Sequence, residues 1–186
     1  FGVAVLLSAI PGARTAAQPV TPAPLAHGEV SFLVPSTIVG GIAGRVPVAQ
    51  ASFTGDQLDS VRGFAVARVA DMQTGNGTRD RHLREAMRAD SFPEIRFALL
   101  EVVPVAQHAD TATVAFDGQL TIHGVTRPVR ADATVVLRPG GADVAASFSL
   151  DMRNYGIKPP VRALVLRVAP DVTITARLSF AAPPPP

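Results

Sequence analysis

The segment GQLTIHGVTRPV, residues 118–129, constrains the fold most, because it predicts two β-strands joined by a tight turn. Leu120 and Ile122 occupy alternate positions, which is the period of a strand with one buried face. Gly124 can take positive φ in the turn, and Pro128 favours an extended backbone after it. The alternation continues on both sides through Ala112, Val114, Phe116 and Gly118, and through Val129, Ala131, Ala133, Val135 and Leu137. The chain is therefore predicted to contain antiparallel hairpins with one apolar face.

The same period recurs along most of the chain. Extended stretches are predicted at residues 30–34, 45–54, 61–72, 94–103, 112–122, 129–137, 144–152 and 172–180. Pro139, Gly140 and Gly141 mark a turn between two of them. Strand-like alternation on this scale predicts an all-β domain.

One segment, residues 78–90, has a helical period instead. Leu83, Ala86 and Met87 fall at i, i+3 and i+4, and Thr78 is positioned to cap the first turn. We therefore predict one short helix.

Seven or eight short antiparallel strands with one helix suit either a closed up-and-down barrel or a sandwich. The barrel is favoured, because closure removes exposed strand edges and an eight-stranded barrel has room for side chains or one slender apolar ligand. Small residues at inward positions predict a tunnel, although the same pattern suits a tightly closed barrel without one. These residues are Ala112, Gly118, Ala131, Ala133, Ala146 and Ala176.

The two ends of the sequence differ from the rest. Residues 1–17 resemble the later part of a secretory signal, because the apolar run FGVAVLLSAI precedes a helix breaker and small residues. A flexible apolar leader or a short membrane anchor is the alternative. We assign 18–27 to a linker, 28–180 to the barrel and 181–186 to a disordered proline-rich tail. A signal of this kind predicts a periplasmic or secreted protein.

Composition excludes several classes of function. The chain has no cysteine, which rules out disulfides, thiolate metal sites and thiol nucleophiles. Its 17 lysines and arginines are dispersed rather than clustered with aromatic residues, so nucleic-acid binding is not expected. The four histidines lack metal-ligand spacing, and we predict no metal site; they are His27, His82, His108 and His123.

No arrangement of residues predicts catalysis. There is no nucleophile elbow, no paired carboxylates and no Ser, His and Asp set. Asp117 is the best candidate for an internal base, but Phe116 and Gly118 take the inward phase, so Asp117 is expected to point outward. His123 precedes the turn glycine and is expected to fix the hairpin through a hydrogen bond. We therefore predict a protein that is not an enzyme.

The start of the predicted helix has the chemistry of an anion site. Arg79 and Arg81 follow the flexible TGNG segment, and guanidinium groups with free backbone amides favour negative charge. His82 could bond a head group or orient a loop. The alternative for the two arginines is pairing with Asp80 and Glu85 along the helix.

The chain contains two long motifs, TGNGTRDRHLREAMRADSFPEIRF at 74–97 and GQLTIHGVTRPV at 118–129. With these motifs in this order, the chain resembles the YceI-like family of secreted, lipocalin-like barrels that bind polyisoprenoid lipids. In the first, the matching residues are Arg79, Asp80, His82, Leu83, Phe92, Pro93, Ile95 and Phe97; in the second, Gly118, Leu120, Thr121, Gly124, Val125, Thr126, Pro128 and Val129. The resemblance spans roughly Gly28 to Phe180.

The resemblance implies an eight-stranded barrel around an apolar tunnel, with an isoprenoid chain inside and its head group near the mouth. We expect the tunnel to be lined by Phe32, Phe64, Phe97, Phe116, Leu120, Phe148 and Leu150. The head-group candidates are Arg79, Arg81 and His82. The ligand would be a polyprenyl phosphate or a quinone tail, held for transport, storage or stress protection. No cofactor is predicted beyond such a bound lipid or quinone.

Two other functions stay open at this point. One is an enzyme or redox helper acting on a bound quinone-like ligand, which needs a titratable side chain facing the lumen. The other is a structural or stress-response protein without a physiological ligand, which a tunnel filled by its own side chains would favour. Transient membrane contact and the oligomeric state are also open.

Overall fold

Eight antiparallel strands form a closed barrel. The structure is a computed structural model that describes residues 23–36, 41–55, 57–158 and 169–181. The strands are β1 (Ala23–Val34), β2 (Ile42–Thr54), β3 (Arg62–Arg68), β4 (Glu94–His108), β5 (Thr111–Ile122), β6 (Val125–Arg138), β7 (Gly141–Asp151) and β8 (Asp171–Ala181). They pair in chain order, and β8 closes the barrel against β1. The predicted eight-stranded antiparallel barrel with one short helix is confirmed.

The predicted hairpin at residues 118–129 is also confirmed. Ile122 pairs with Val125, so His123 and Gly124 form a two-residue loop. Both take positive φ, 52° and 75°, which matches the right-handed twist of the flanking strands.

The barrel begins before the predicted boundary. Ala23 and Pro24 pair with Phe53 and Ser52 of β2, so residues 23–27 belong to β1 rather than to a linker. Pro24 and a register shift between Leu25 and His27 hide the period of two in this stretch. Ala181 ends β8 instead of starting the tail. The predicted signal and the rest of the tail lie outside the described residues.

The helix α1 (Gly77–Ala86) lies between β3 and β4. Its cap is Asn76 rather than the predicted Thr78, because the Asn76 side chain accepts the Arg79 backbone N–H at 3.0 Å. Only the first part of the predicted strand 61–72 is extended, since β3 is followed by a 3-10 turn at Val69–Asp71. Within the ranges described above, no helix is long and apolar enough to cross a membrane.

The connections divide the barrel into two ends. We call the end with α1, the His123–Gly124 loop and the 3-10 turn Met152–Tyr155 the helix end. The opposite end, which has the 3-10 turn Leu58–Ser60 and the loops 109–110 and 139–140, is the turn end. One apolar cluster lies toward each end: Met72, Met87, Ile122, Met152 and Tyr155 belong to the first, and Val102, Ala112, Val114 and Val135 to the second.

Candidate functional site

The interior of the barrel holds a cavity of about 930 Å³. Ligand pockets in proteins span roughly 300–1,000 Å³, so this cavity is large. All eight strands contribute to its wall, mostly with apolar side chains. The cavity can therefore hold a long apolar molecule, and it is not filled by the protein's own side chains.

Six of the seven predicted tunnel residues lie on the cavity wall: Phe32, Phe97, Phe116, Leu120, Phe148 and Leu150. The prediction for Phe64 is wrong, because its side chain is 39% exposed and faces away from the cavity. Ala65 pairs with Phe97 across β3 and β4, and directly opposed residues share a face of the sheet. Ala65 thus faces inward and its neighbour Phe64 faces outward.

Two aromatic rings of the cavity wall pack against each other beside a glycine. The rings of Phe97 and Phe116 meet edge to face, with 5.7 Å between their centroids. A Cβ atom at Gly118 would approach Cε2 of Phe97 to 2.5 Å, so this glycine leaves the space that the Phe97 ring occupies. A larger residue at position 118 would therefore displace the Phe97 ring from its place on the cavity wall.

Polar side chains on the wall lie toward the two ends. At the helix end these are Thr74, Arg79, His82 and Lys158, and at the turn end Thr54, Gln57, Asp59 and Gln107. The middle of the cavity is apolar. Such a distribution suits an amphiphile with a long apolar chain.

Thr74 positions the guanidinium of Arg79. The Arg79 Nε and Nη2 groups donate to Oγ1 and to the backbone oxygen of Thr74, both at 2.9 Å. The Thr74 hydroxyl and backbone N–H donate in turn to Oδ1 of Asp80, at 2.5 and 2.7 Å. The Thr74 hydroxyl bond is the main cause that lowers the pKa of Asp80. Arg79 is thus oriented at the cavity by two hydrogen bonds to Thr74, and the charge of Asp80 attracts it as well.

Arg81 does not reach the cavity, so its prediction as a head-group residue is wrong. Its Nε lies 3.9 Å from Oε1 of Glu85, and both side chains are 64% exposed. Residues two apart on a helix point to different sides, whereas residues three apart share a side. Accordingly Arg79 and His82 line the cavity together, and Arg81 points to solvent.

His123 has the structural role expected of it. Its Nδ1 lies 3.2 Å from the backbone oxygen of Tyr155, and its ring packs on Phe92 with 4.7 Å between centroids. These contacts tie the β5–β6 loop to the Met152–Tyr155 turn. Burial raises the pKa of the Tyr155 hydroxyl at the same place.

Lys158 and Asp59 were not predicted as site residues. Both lie in connections between strands, where the sequence has no period from which a facing direction could be read. Asp117 points outward as predicted, and its Oδ1 lies 3.8 Å from Nε of Arg130. In the part of the chain that the structure describes, no group of three His, Asp or Glu side chains is arranged to hold a metal ion.

Comparison with known families gives a match to the YceI-like domain over residues 22–180. Two UPF0312 proteins are similar in sequence. One, from Pseudomonas fluorescens, is 39% identical over 72 residues, which is 36% of this chain and 35% of that protein. The other, from Pseudomonas putida, is 31% identical over 101 residues, half of each chain. The aligned parts thus span about a third to a half of these relatives.

Solved structures share the barrel at low sequence identity. BcnA of Burkholderia cenocepacia has a TM-score of 0.67 at 16% identity, covering 82% of this chain and 95% of BcnA. A polyisoprenoid binding domain of Saccharophagus degradans also has a TM-score of 0.67, at 12% identity, covering 88% and 99%. A Campylobacter jejuni YceI protein has a TM-score of 0.64 at 16% identity, covering 76% and 85%. At these identities the likeness shows the fold.

Proposed function

This chain belongs to the YceI-like domain family, and on that premise we propose that it is a binding protein that holds a long isoprenoid-type lipid in its barrel. The observation that carries the proposal is the cavity of about 930 Å³, with apolar side chains from all eight strands. Burying an apolar chain there removes its surface from water, at roughly 25 cal/mol per Å². The Saccharophagus degradans neighbour, which is a polyisoprenoid binding domain, supports the same ligand class.

The alternatives make different demands on the cavity. An enzyme or redox helper for a quinone-like ligand needs a titratable group beside the reacting ring. In the described residues, the ionisable side chains on the wall are Asp59, Arg79, His82 and Lys158, all toward the ends. That placement suits a head group better than chemistry in the lumen. A structural protein without a ligand would need a filled barrel, which the open cavity disfavours.

Export remains part of the proposal. Residues 1–17 have the pattern of a secretory signal, and we propose cleavage near Ala17 and a periplasmic or secreted location. N-terminal sequencing of the exported protein is expected to find a start close after Ala17. A mature protein that retains residues 1–17 would contradict cleavage.

The two helix arginines form a matched pair for testing the head-group end. Replacing Arg79 by glutamine is expected to weaken binding of a polyprenyl monophosphate by about ten- to a hundredfold, because a charge-assisted hydrogen bond is lost. Binding of the polyprenol of equal length should stay the same. Titration of delipidated protein with the two lipids measures both affinities.

Arg81→Gln is the control, because Arg81 belongs to the same helix but points to solvent. Its exposed pair with Glu85 contributes about 0–1 kcal/mol to stability, so both affinities should match the wild type. Equal losses in the two variants would contradict a head-group role for Arg79. Failure of the wild type to bind either lipid would contradict the proposed function itself.

A further inference from the structure

The charged side chains that line the cavity differ in sign between its two ends. Toward the helix end the wall has the cationic groups of Arg79 and Lys158, together with His82. Toward the turn end it has Asp59, the only carboxylate that lines the cavity in the described residues. A ligand with one charged end would therefore be bound in one direction.

Many arginines on the outer surface are paired with carboxylates. Within the ranges that the structure describes, seven arginines form ion pairs with carboxylates: Arg45 with Glu29, Arg68 with Asp71, Arg81 with Glu85, Arg96 with Glu94, Arg130 with Asp117, Arg138 with Asp143 and Arg153 with Asp151. None of these arginines lines the cavity. Lys158, the only lysine of the chain, has no carboxylate partner among the residues that the structure describes.

Two aspartates near the helix end accept hydrogen bonds from other residues of the protein. Asp80 accepts two hydrogen bonds from Thr74, and Asp151 accepts hydrogen bonds from the guanidinium and backbone N–H of Arg153. Those contacts lower the pKa of both carboxyl groups, so both are carboxylates near neutral pH. Neither of them lines the cavity. Asp151 is paired with Arg153, and Asp80 attracts Arg79 and Arg84, whereas Lys158 has no carboxylate partner among the described residues.

Lys158 is suitably placed to bind an anion. It follows Ile157, which packs against the apolar cluster of the helix end, so the backbone beside Lys158 is anchored. The ammonium group has three donors on a flexible stem and binds phosphate or carboxylate as a point charge. Arg79, oriented by Thr74, supplies a second cation on the same cavity.

We infer that Lys158, with Arg79, binds the anionic head group of a single-chain amphiphile at the helix end, while the apolar tail extends toward the turn end. This inference rests on the proposed function, and it adds the class of head group, the direction of the ligand and a residue that determines specificity. Asp59 at the far end repels an anion and so opposes the reverse direction.

Because the chain has a single lysine, amine acetylation reports on this site directly. Delipidated protein is acetylated in the presence of a polyprenyl monophosphate, the polyprenol of equal length, or inorganic phosphate, and modification of Lys158 is quantified by peptide mass spectrometry. The N-terminal amine serves as an internal reference. At saturation the polyprenyl monophosphate is expected to slow acetylation of Lys158 by about tenfold, because the amine is then ion-paired and covered. The polyprenol and inorganic phosphate should have little effect on the acetylation rate of Lys158.

Two variants complete the test. Lys158→Gln is expected to weaken binding of the polyprenyl monophosphate by about tenfold and to leave the affinity for the polyprenol unchanged. Lys158→Arg should keep most of the affinity, because the charge is retained. Circular dichroism checks the fold of both variants.

The outcomes separate this inference from the proposed function. If both lipids bind and Lys158→Gln affects them alike, or if neither lipid protects Lys158, the inference is wrong while the proposed function stands. Equal protection by inorganic phosphate would also overturn it, because the site would then bind the free ion rather than a lipid head group. If the wild type binds neither lipid, the proposed function fails and the inference fails with it.

Discussion

Replacing Phe116 by arginine is expected to abolish retention of lipid by the purified protein. Phe116 lies on the cavity wall, is 8% exposed, and packs edge to face against Phe97. An unpaired cation in these apolar surroundings costs several kcal/mol, and the longer side chain occupies part of the lumen. Quantification of lipid in organic extracts, per mole of folded protein, measures the loss.

Phe64→Arg is the matched control. The same substitution is made in β3, but Phe64 faces outward and is 39% exposed, so lipid retention should equal that of the wild type. Ala146→Phe fills the cavity from its wall without adding a charge, and it should also lower retention if Phe116→Arg does not fold. If folded Phe116→Arg retains as much lipid as the wild type, the assignment of Phe116 to the lipid-binding site is wrong.

The second large effect is expected at Gly141, the first residue of β7. Its φ of 143° is strained for other residues, and an added Cβ would overlap the backbone oxygen of Phe180. Gly141→Ala should therefore lower the free energy of unfolding by about 2 to 4 kcal/mol. Urea denaturation followed by circular dichroism gives this value.

Gly140→Ala is the control for that substitution. A Cβ at Gly140 would meet no atom within 4 Å, so its free energy of unfolding should stay within about 0.5 kcal/mol of the wild type. Because Gly141 pairs with Ala181 where β7 meets β8, its substitution loosens the barrel at the turn end. Equal stabilities of the two variants would mean that the backbone at Gly141 is not as tightly constrained as the structure has it.

The fold could be predicted from the sequence because most strands have one apolar, buried face and one polar, solvent-exposed face. In β5 the residues Ala112, Val114, Phe116, Gly118, Leu120 and Ile122 are all buried, as their alternation predicted. The facing direction of β3 could not be predicted in the same way. Apolar residues occupy both of its faces, and only the pairing of Ala65 with Phe97 fixes which face is inside.

The helix end required tertiary information for a similar reason. The helical period places Arg79 and His82 on one side and Arg81 on another, but it does not say which side meets the barrel. That choice is made by Leu83, which packs against the apolar cluster of the helix end and lines the cavity beside Arg79 and His82. Lys158 and Asp59 are in connections without a period, so only the closed barrel brings them to the cavity.

The central claim is that the cavity holds a long isoprenoid-type lipid, and mass spectrometry of lipids extracted from natively purified wild-type protein tests it most directly. The account predicts a long-chain isoprenoid at close to one molecule per protein, and little of it in an equal amount of folded Phe116→Arg. Wild-type protein that yields no isoprenoid, and that takes up none when incubated with polyprenol or polyprenyl monophosphate, would contradict the claim.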